Sequence, residues 1–250
     1  MATAFSLIAT LSSDHLAATN ETSGADSAAL RFMSSSLRWC DAMTSCSLRT
    51  APCLPLESSD VCDDKKTWQD VLASGILEIA NLDAWKHQAA GRGMLGPVEL
   101  VKRAATIEAG LSQVSGQFGR RADTHVSAAL VYLHVVVSGA NPRIPDLYNH
   151  VYTTIQLLRS LQGTEDAASK DEVRTLMWPI CMAGCLAEGT DRAFIMSLLN
   201  SSGALKERAS SLERTGNVLR ECWRLADSGE VADPDWTSAM TSLGQELILF

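Results

Sequence analysis

A chain of 250 residues, 46% hydrophobic and 20% charged with a formal net charge of −8, is long enough to bury a sizeable core as one large domain or two small ones. The acidic balance argues against direct DNA binding, because the basic pairs Lys65-Lys66, Lys102-Arg103 and Arg120-Arg121 stand apart and make no patch able to neutralise about 6–10 phosphates; the longest uncharged apolar stretch falls short of the about 20 residues a membrane span needs. Cysteines at positions 40, 46, 53, 62, 181, 185 and 222 are odd in number and widely spread, which suits reduced intracellular thiols better than a disulfide framework.

In chain order, residues 1–25 are mostly small and polar after the short apolar run Ala4–Leu11, and are expected to form a flexible segment; with no basic residue ahead of it, that run does not read as a signal peptide. The domain is expected over 26–250. From Asp26 to Arg49, Leu30, Met33, Leu37, Cys40 and Met43 recur near helical spacing, and the two prolines and four acidic residues of 50–66 predict a loop. Trp68, Val71, Leu72, Ile76 and Ile79 form a helical stripe opposite Gln69, Asp70 and Glu78. Gly91 to Pro97 breaks the chain, after which Val98, Val101, Ala105, Glu108 and Leu111 predict a helix ending near Val114. A third, nearly all apolar helix covers Ala122–Val137, and Leu147, Val151, Ile155, Leu158 and Leu161 mark another.

Leu176–Ala187 is twelve residues without a charge, longer than a buried strand, so it predicts a helix that is apolar all round and central to the core. Pro179 cannot donate a backbone hydrogen bond, so a helix begins or kinks there; Gly184, lacking a Cβ, lets a neighbour approach; Gly189 suits a stop, with Thr190 capping the next helix and Asp191 in its first turn. Phe194, Ile195, Leu198 and Leu199 continue that next helix, a long one follows over about Leu205–Ala226, and Asp233-Pro234 predicts the start of a last one carrying Trp236, Met240, Leu243 and Leu247. No alternating strand pattern occurs. The expected fold is all-α: one domain without a sheet, a multi-helix orthogonal bundle or irregular helical array.

Chemistry-bearing motifs are scarce. Gly91, Gly93 and Gly96 have the dinucleotide-binding spacing, but that mechanism needs a strand before the first glycine, and helix-like Asn81–Ala90 stands there, so the stretch reads as a connector. Cys40, Cys46, Cys53 and Cys62 lack the close pair of a structural zinc site, and Cys181 and Cys185 read as small buried hydrophobes. The histidines at 15, 87, 125, 134 and 150 show no His-Glu-x-x-His pattern and no local carboxylate partner, and His134 reads as a core residue. No nucleophile elbow or P-loop is present. Catalytic, cofactor-binding and metal-ligating residues are therefore expected to be absent.

Trp178-Pro179-Ile180, then Ala183-Gly184-Cys185 and Asp191-Arg192, resemble the signature near the C-terminal end of the fungal-specific transcription factor regulatory domain, the helical domain downstream of a zinc binuclear-cluster DNA-binding domain. Trp39-Cys40-Asp41 with Thr44-Ser45 and Pro52 resembles an upstream helix of that domain, and Ala128–His134 its central Ala-rich helix. Gly216–Leu219 with Trp223, followed by Asp235-Trp236 and Met240, resembles its closing pair of helices. The resemblance spans roughly residues 30–250 and marks Trp39, Asp41, Trp178, Pro179, Gly184, Cys185, Asp191, Arg192, Trp223 and Trp236 as core and family-motif positions. It implies regulation of RNA polymerase II transcription in a fungal nucleus. It also implies control of activator output through protein partners of the transcription machinery or a small-molecule effector; the residues alone leave open a stand-alone helical ligand-binding module or a protein-interaction module such as a homodimer, ahead of an enzyme. Zinc is expected only with a six-cysteine cluster upstream of Met1. Since the family domain extends upstream of the Trp39 helix, the chain is expected to be truncated: a fragment, a partial gene model or a cluster-less relative.

Overall fold

Short apolar repeats stopped by glycine, proline or polar residues set nine helices, with no strand, among the described residues 24–55, 67–162, 175–201 and 209–248 of the computed structural model. The expected all-α class is the observed one. The segment 1–25 lies outside the described residues except for Gly24 and Ala25, which begin α1 (Gly24–Leu48). Residues 50–55 leave that helix as the predicted loop, and 56–66 lie outside the described residues.

Helix α2 (Trp68–Gly91) starts on a reciprocal cap in which the Thr67 hydroxyl accepts the Asp70 amide at 3.3 Å and the Asp70 carboxylate accepts the Thr67 amide at 2.9 Å. Its C-terminal half absorbs the glycine-rich stretch as a helix stop, with Gly91 as the last helical residue and Gly93 at φ +66°. Helix α3 (Pro97–Val114) begins on Pro97, which sacrifices no hydrogen bond at a first helical position. Where α3 meets α2, Gly75 makes room: a Cβ there would stand 2.6 Å from Leu111 Cδ2.

Helix α4 (Arg120–Ser138) is the axis of the fold. Bounded by Gly119 and Gly139, both at positive φ, it buries residues on every side and touches α2, α3, α5 (Pro145–Gln162) and α6 (Met177–Gly184). Each buried Val or Leu contributes about 1.5–3 kcal/mol, so a helix apolar all round is stable only at such a centre. The Lys86 ammonium donates to the Val136 carbonyl at 2.6 Å, placing a cation on the negative end of α4.

All eight residues of α6 are buried, as its uninterrupted apolar sequence predicts. The helix begins two residues before Pro179, whose ring therefore sits in the first turn, and the Ile180 amide is the first to reach back, to the Leu176 carbonyl at 2.9 Å. Helices α7 (Thr190–Ser201) and α8 (Ala209–Ser228) pack on α6, and α9 (Trp236–Ser242) packs on α8 and returns to α1.

Four sequence expectations are corrected. The buried face of α3 is Leu100, Ala104, Ile107 and Leu111, leaving Val98, Val101 and Ala105 exposed; both stripes have helical spacing and share Leu111, and the apposition of α2 and α4 selects the one containing Leu100, Ala104 and Ile107. Met33 is exposed on α1, whose buried residues, among the described side chains, begin at Asp41; the Leu30 side chain lies outside them. The last helix starts at Trp236 with Asp235 as its N-cap, so Pro234 lies outside it and Asp233 sits at φ +49°. Leu243 is exposed because the helix ends at Ser242. Leu205 falls in 202–208, outside the described residues.

Candidate functional site

A cavity of about 650 Å³ opens where α1, α2, α4 and the start of α6 converge, walled by Trp39, Trp68, Trp178 and His125, with Phe32 and Arg121 among its other lining residues. Each wall comes from a different helix. Trp39 follows from the register of α1, whose next turn begins the buried face; Trp68 is the first residue of α2, placed by the Thr67 cap; Trp178 rides the first turn of α6. The rings form a continuous lining. Trp39 meets Trp68 edge-on at 6.2 Å, His125 lies 5.2 Å from Trp68 and 6.1 Å from Trp39, and it stacks on Trp178 at 6.3 Å.

His125 fixes the floor. Its Nδ1 lies 2.9 Å from the Arg121 carbonyl and its Nε2 3.0 Å from the Thr175 carbonyl. Burial pushes its pKa below the ordinary imidazole value, although both carbonyls pull the other way. Beneath it, the Trp178 indole N–H points at Cys46 Sγ, 3.1 Å away. Burial drives the Cys46 thiol far up, which makes it an inert packing group and no nucleophile. Such walls offer flat apolar surface, with the half-buried Arg121 as the cationic group. This arrangement can hold a ring-bearing ligand.

The remaining family-motif positions serve the frame. The Asp41 carboxylate accepts the amides of Cys53 and Leu54, pinning the loop after α1. Gly184 ends α6 with its carbonyl accepting the Trp223 indole N–H at 2.8 Å, and a Cβ on it would stand 3.2 Å from both Ile195 and Leu219. Arg192 grips Asp227 through both its terminal nitrogens, donates to the Ala187 carbonyl and lies over the Trp223 ring. Asp191 accepts from Arg159 at 2.6 Å, and Cys185 stands 3.4 Å from the Cys222 sulfur. Trp236 donates to the Ser47 carbonyl at 3.0 Å. The motif residues thus divide: Trp39 and Trp178 meet at the cavity, and the others tie helix ends together.

Sequence reasoning missed the partners that complete both groups. Trp68 and His125 were visible only as a stripe residue and an unpartnered histidine. Arg49 is a second omission: it binds Asp83 with two nitrogens at 2.7 and 2.8 Å and Asp235 with the third at 2.8 Å. Burial opposes its charge, but Asp83 and Asp235 hold its pKa above the ordinary value. An Asp in the apolar run of α2 was the available signal, since a buried carboxylate demands a cation. Asp83 also supplies His87 with the local carboxylate that the sequence reading denied it, at 3.3 Å one turn away. Finally, Glu108, His134 and His150 come together, the sole trio of metal-capable side chains so grouped among the described residues.

The model of the fungal-specific transcription factor domain matches residues 3–250 of the chain. The chain is 30% identical over 181 residues to the trichothecene biosynthesis transcription regulator TRI10 of Trichoderma arundinaceum, covering 70% of this chain and 42% of that protein. It is 30% identical over 182 residues to its counterpart in Fusarium sporotrichioides, with the same coverage. The ustiloxin B cluster transcription factor ustR of Aspergillus flavus is 27% identical over 173 residues, or 61% of this chain and 29% of that protein. The chain therefore spans less than half the length of these relatives. No solved structure matches.

Proposed function

The chain belongs to the family of fungal-specific transcription factor domains, and from that membership we propose that it regulates RNA polymerase II transcription as an effector-responsive regulatory domain. Its place of action is the nucleus, where it works through protein partners of the transcription machinery. The names of its relatives, regulators of trichothecene and ustiloxin B genes, support a role in a secondary-metabolite gene cluster. The observation that carries the effector reading is the aromatic cavity: two family-motif tryptophans, Trp39 and Trp178, line it, and a largely apolar volume of about 650 Å³ among the described residues is the size of a small-molecule site. A ligand bound across Trp39, Trp68 and Trp178 would clamp α1 and α2 to α6 and shift the balance between two arrangements of these helices.

The test joins the chain to a heterologous DNA-binding domain and reads reporter transcription with and without a panel of ring-bearing carboxylic and ketonic metabolites. Tryptophan fluorescence of the purified chain reads binding directly. Regulation predicts a reporter response, and the cavity reading predicts that Trp39→Ala removes ligand dependence while the chain stays folded. A reporter unmoved by the chain sinks the regulatory role. A ligand response unchanged by Trp39→Ala and Trp68→Ala sinks the cavity.

A further inference from the structure

We propose that Glu108, His134 and His150 form a binding site for one divalent transition-metal cation of the zinc class. Glu108 is supplied by α3, His134 by α4 and His150 by α5, and one ligand atom from each lies within 4.8 Å of the other two. His134 Nε2 carries the argument. It is buried without a hydrogen-bond partner, and the nearest Glu108 oxygen stands 4.0 Å away, too far for a hydrogen bond. Buried polar atoms are nearly always paired, so an orphaned imidazole nitrogen beside a second imidazole and a carboxylate has the character of an unfilled ligand set.

The geometry needs little adjustment. The two imidazoles lie side by side, with ring centroids 4.9 Å apart and planes inclined by 25°. Ligands at about 2.0–2.2 Å from a tetrahedral ion stand about 3.4 Å from one another. The present spacing, within 4.8 Å, closes to that value by rotation of these three half-buried side chains about their own bonds, which the proposal requires. Two nitrogens and one carboxylate oxygen suit zinc and its neighbours better than calcium or magnesium, which take all-oxygen sets. Three protein ligands leave a fourth position for water or another ligand. Glu108 is 43% exposed where His134 is 15%, giving the ion a path in from solvent. Asp146, on α5 one turn before His150, adds a further negative charge near the site. An ion held there would staple α3 to the α4–α5 pair, stabilising the folded chain by mass action. The cysteines have no part in this site, and the proposal is independent of the effector cavity.

Chelator-treated full chain is titrated with Co²⁺ as a spectroscopic stand-in for zinc, followed by visible absorption and metal content. The expected result is one Co²⁺ per chain, displaceable by Zn²⁺, with nitrogen/oxygen-type bands and no thiolate-to-cobalt charge transfer. His134→Gln and His150→Gln each abolish it. Glu108→Gln weakens it by at least about tenfold, the loss that even outer partners of a metal site produce. Metal-free Glu108→Gln keeps the helix content and Tm of the metal-free parent, since the change is isosteric and Glu108 makes no hydrogen bond to His134, so a folding failure in a histidine variant leaves the test intact. Zn²⁺ raises the Tm of the parent and not of the variants. Binding unchanged in all three variants, a thiolate band, or no Co²⁺ taken up by the folded chain overturns the site.

Discussion

Helix α1 passes through two neighbourhoods that use tryptophan differently. At its C-terminal end the Ser47 carbonyl receives the Trp236 indole, which is 1% exposed, and Arg49 binds Asp83 and Asp235 at once. About 12 Å back along the helix, Trp39 stands half-buried beside Trp68 and lines a cavity. The first place is a closed joint, with ring, N–H and charges all met within the chain. The second leaves aromatic faces with room beside them. Residue type alone does not separate frame from site; the completeness of a side chain's contacts does.

That contrast is open to attack at both ends. The largest effect is expected for Trp236→Ala, which empties a closed seat and strands the Ser47 carbonyl: about 3–5 kcal/mol of stability, or a fall in Tm of roughly 10–15 °C by thermal denaturation. Arg49→Ala comes next, at about 3 kcal/mol in urea unfolding, because it abandons Asp83, whose side chain is 2% exposed. Gly184→Ala, with its Cβ forced to 3.2 Å from Ile195 and Leu219, is expected to lower stability by about 1 kcal/mol. Trp39→Ala, in the open neighbourhood, should fall below about 1.5 kcal/mol in the same urea measurement. A Trp39 loss as large as that of Trp236 would erase the distinction.

A finer probe is acid. Burial raises the pKa of Asp235, but the Ser238 amide, the Thr237 hydroxyl and the Arg49 charge together bring it below the ordinary carboxylate value. The folded-state value is therefore lower than the unfolded one near about 3.9. Its contribution is complete above that unfolded value and disappears as pH falls through the folded one. Unfolding free energy measured from pH 6 to pH 2 should show a shallower acid decline in Asp235→Asn, and an unaltered shape in Trp39→Ala. An identical decline in Asp235→Asn and the parent would dissociate the joint from the acid limb.

Much of the fold was legible because apolar periodicity and Gly/Pro stops act locally, and the charge-free run at Leu176–Ala187 could only be central. The misreadings have local causes too. On α3 two stripes share one period, and only the neighbouring helices choose between them. At the last helix Asp235 offers its carboxylate to the Ser238 amide and outcompetes the proline signal one residue earlier. Of the candidate site, Trp39 and Trp178 were singled out by family resemblance, while the cavity they share with Trp68 and His125 depends on four helices arriving together. Glu108, His134 and His150 were hidden for the same reason: on three separate helices, only the rotation of each about its axis decides whether they face one another.

The joint at Arg49 has a consequence in time. The groups that close it are 186 positions apart for Arg49 and Asp235, and 189 apart for Ser47 and Trp236. At roughly 5–20 residues per second, the ribosome delivers Trp236 some 10–40 s after Ser47. Throughout that interval the end of α1 has neither its indole nor its second carboxylate. A chain cut before Asp235 and α9 lacks both partners, so the end of α1 is left with one carboxylate at Arg49 and an unmet carbonyl at Ser47.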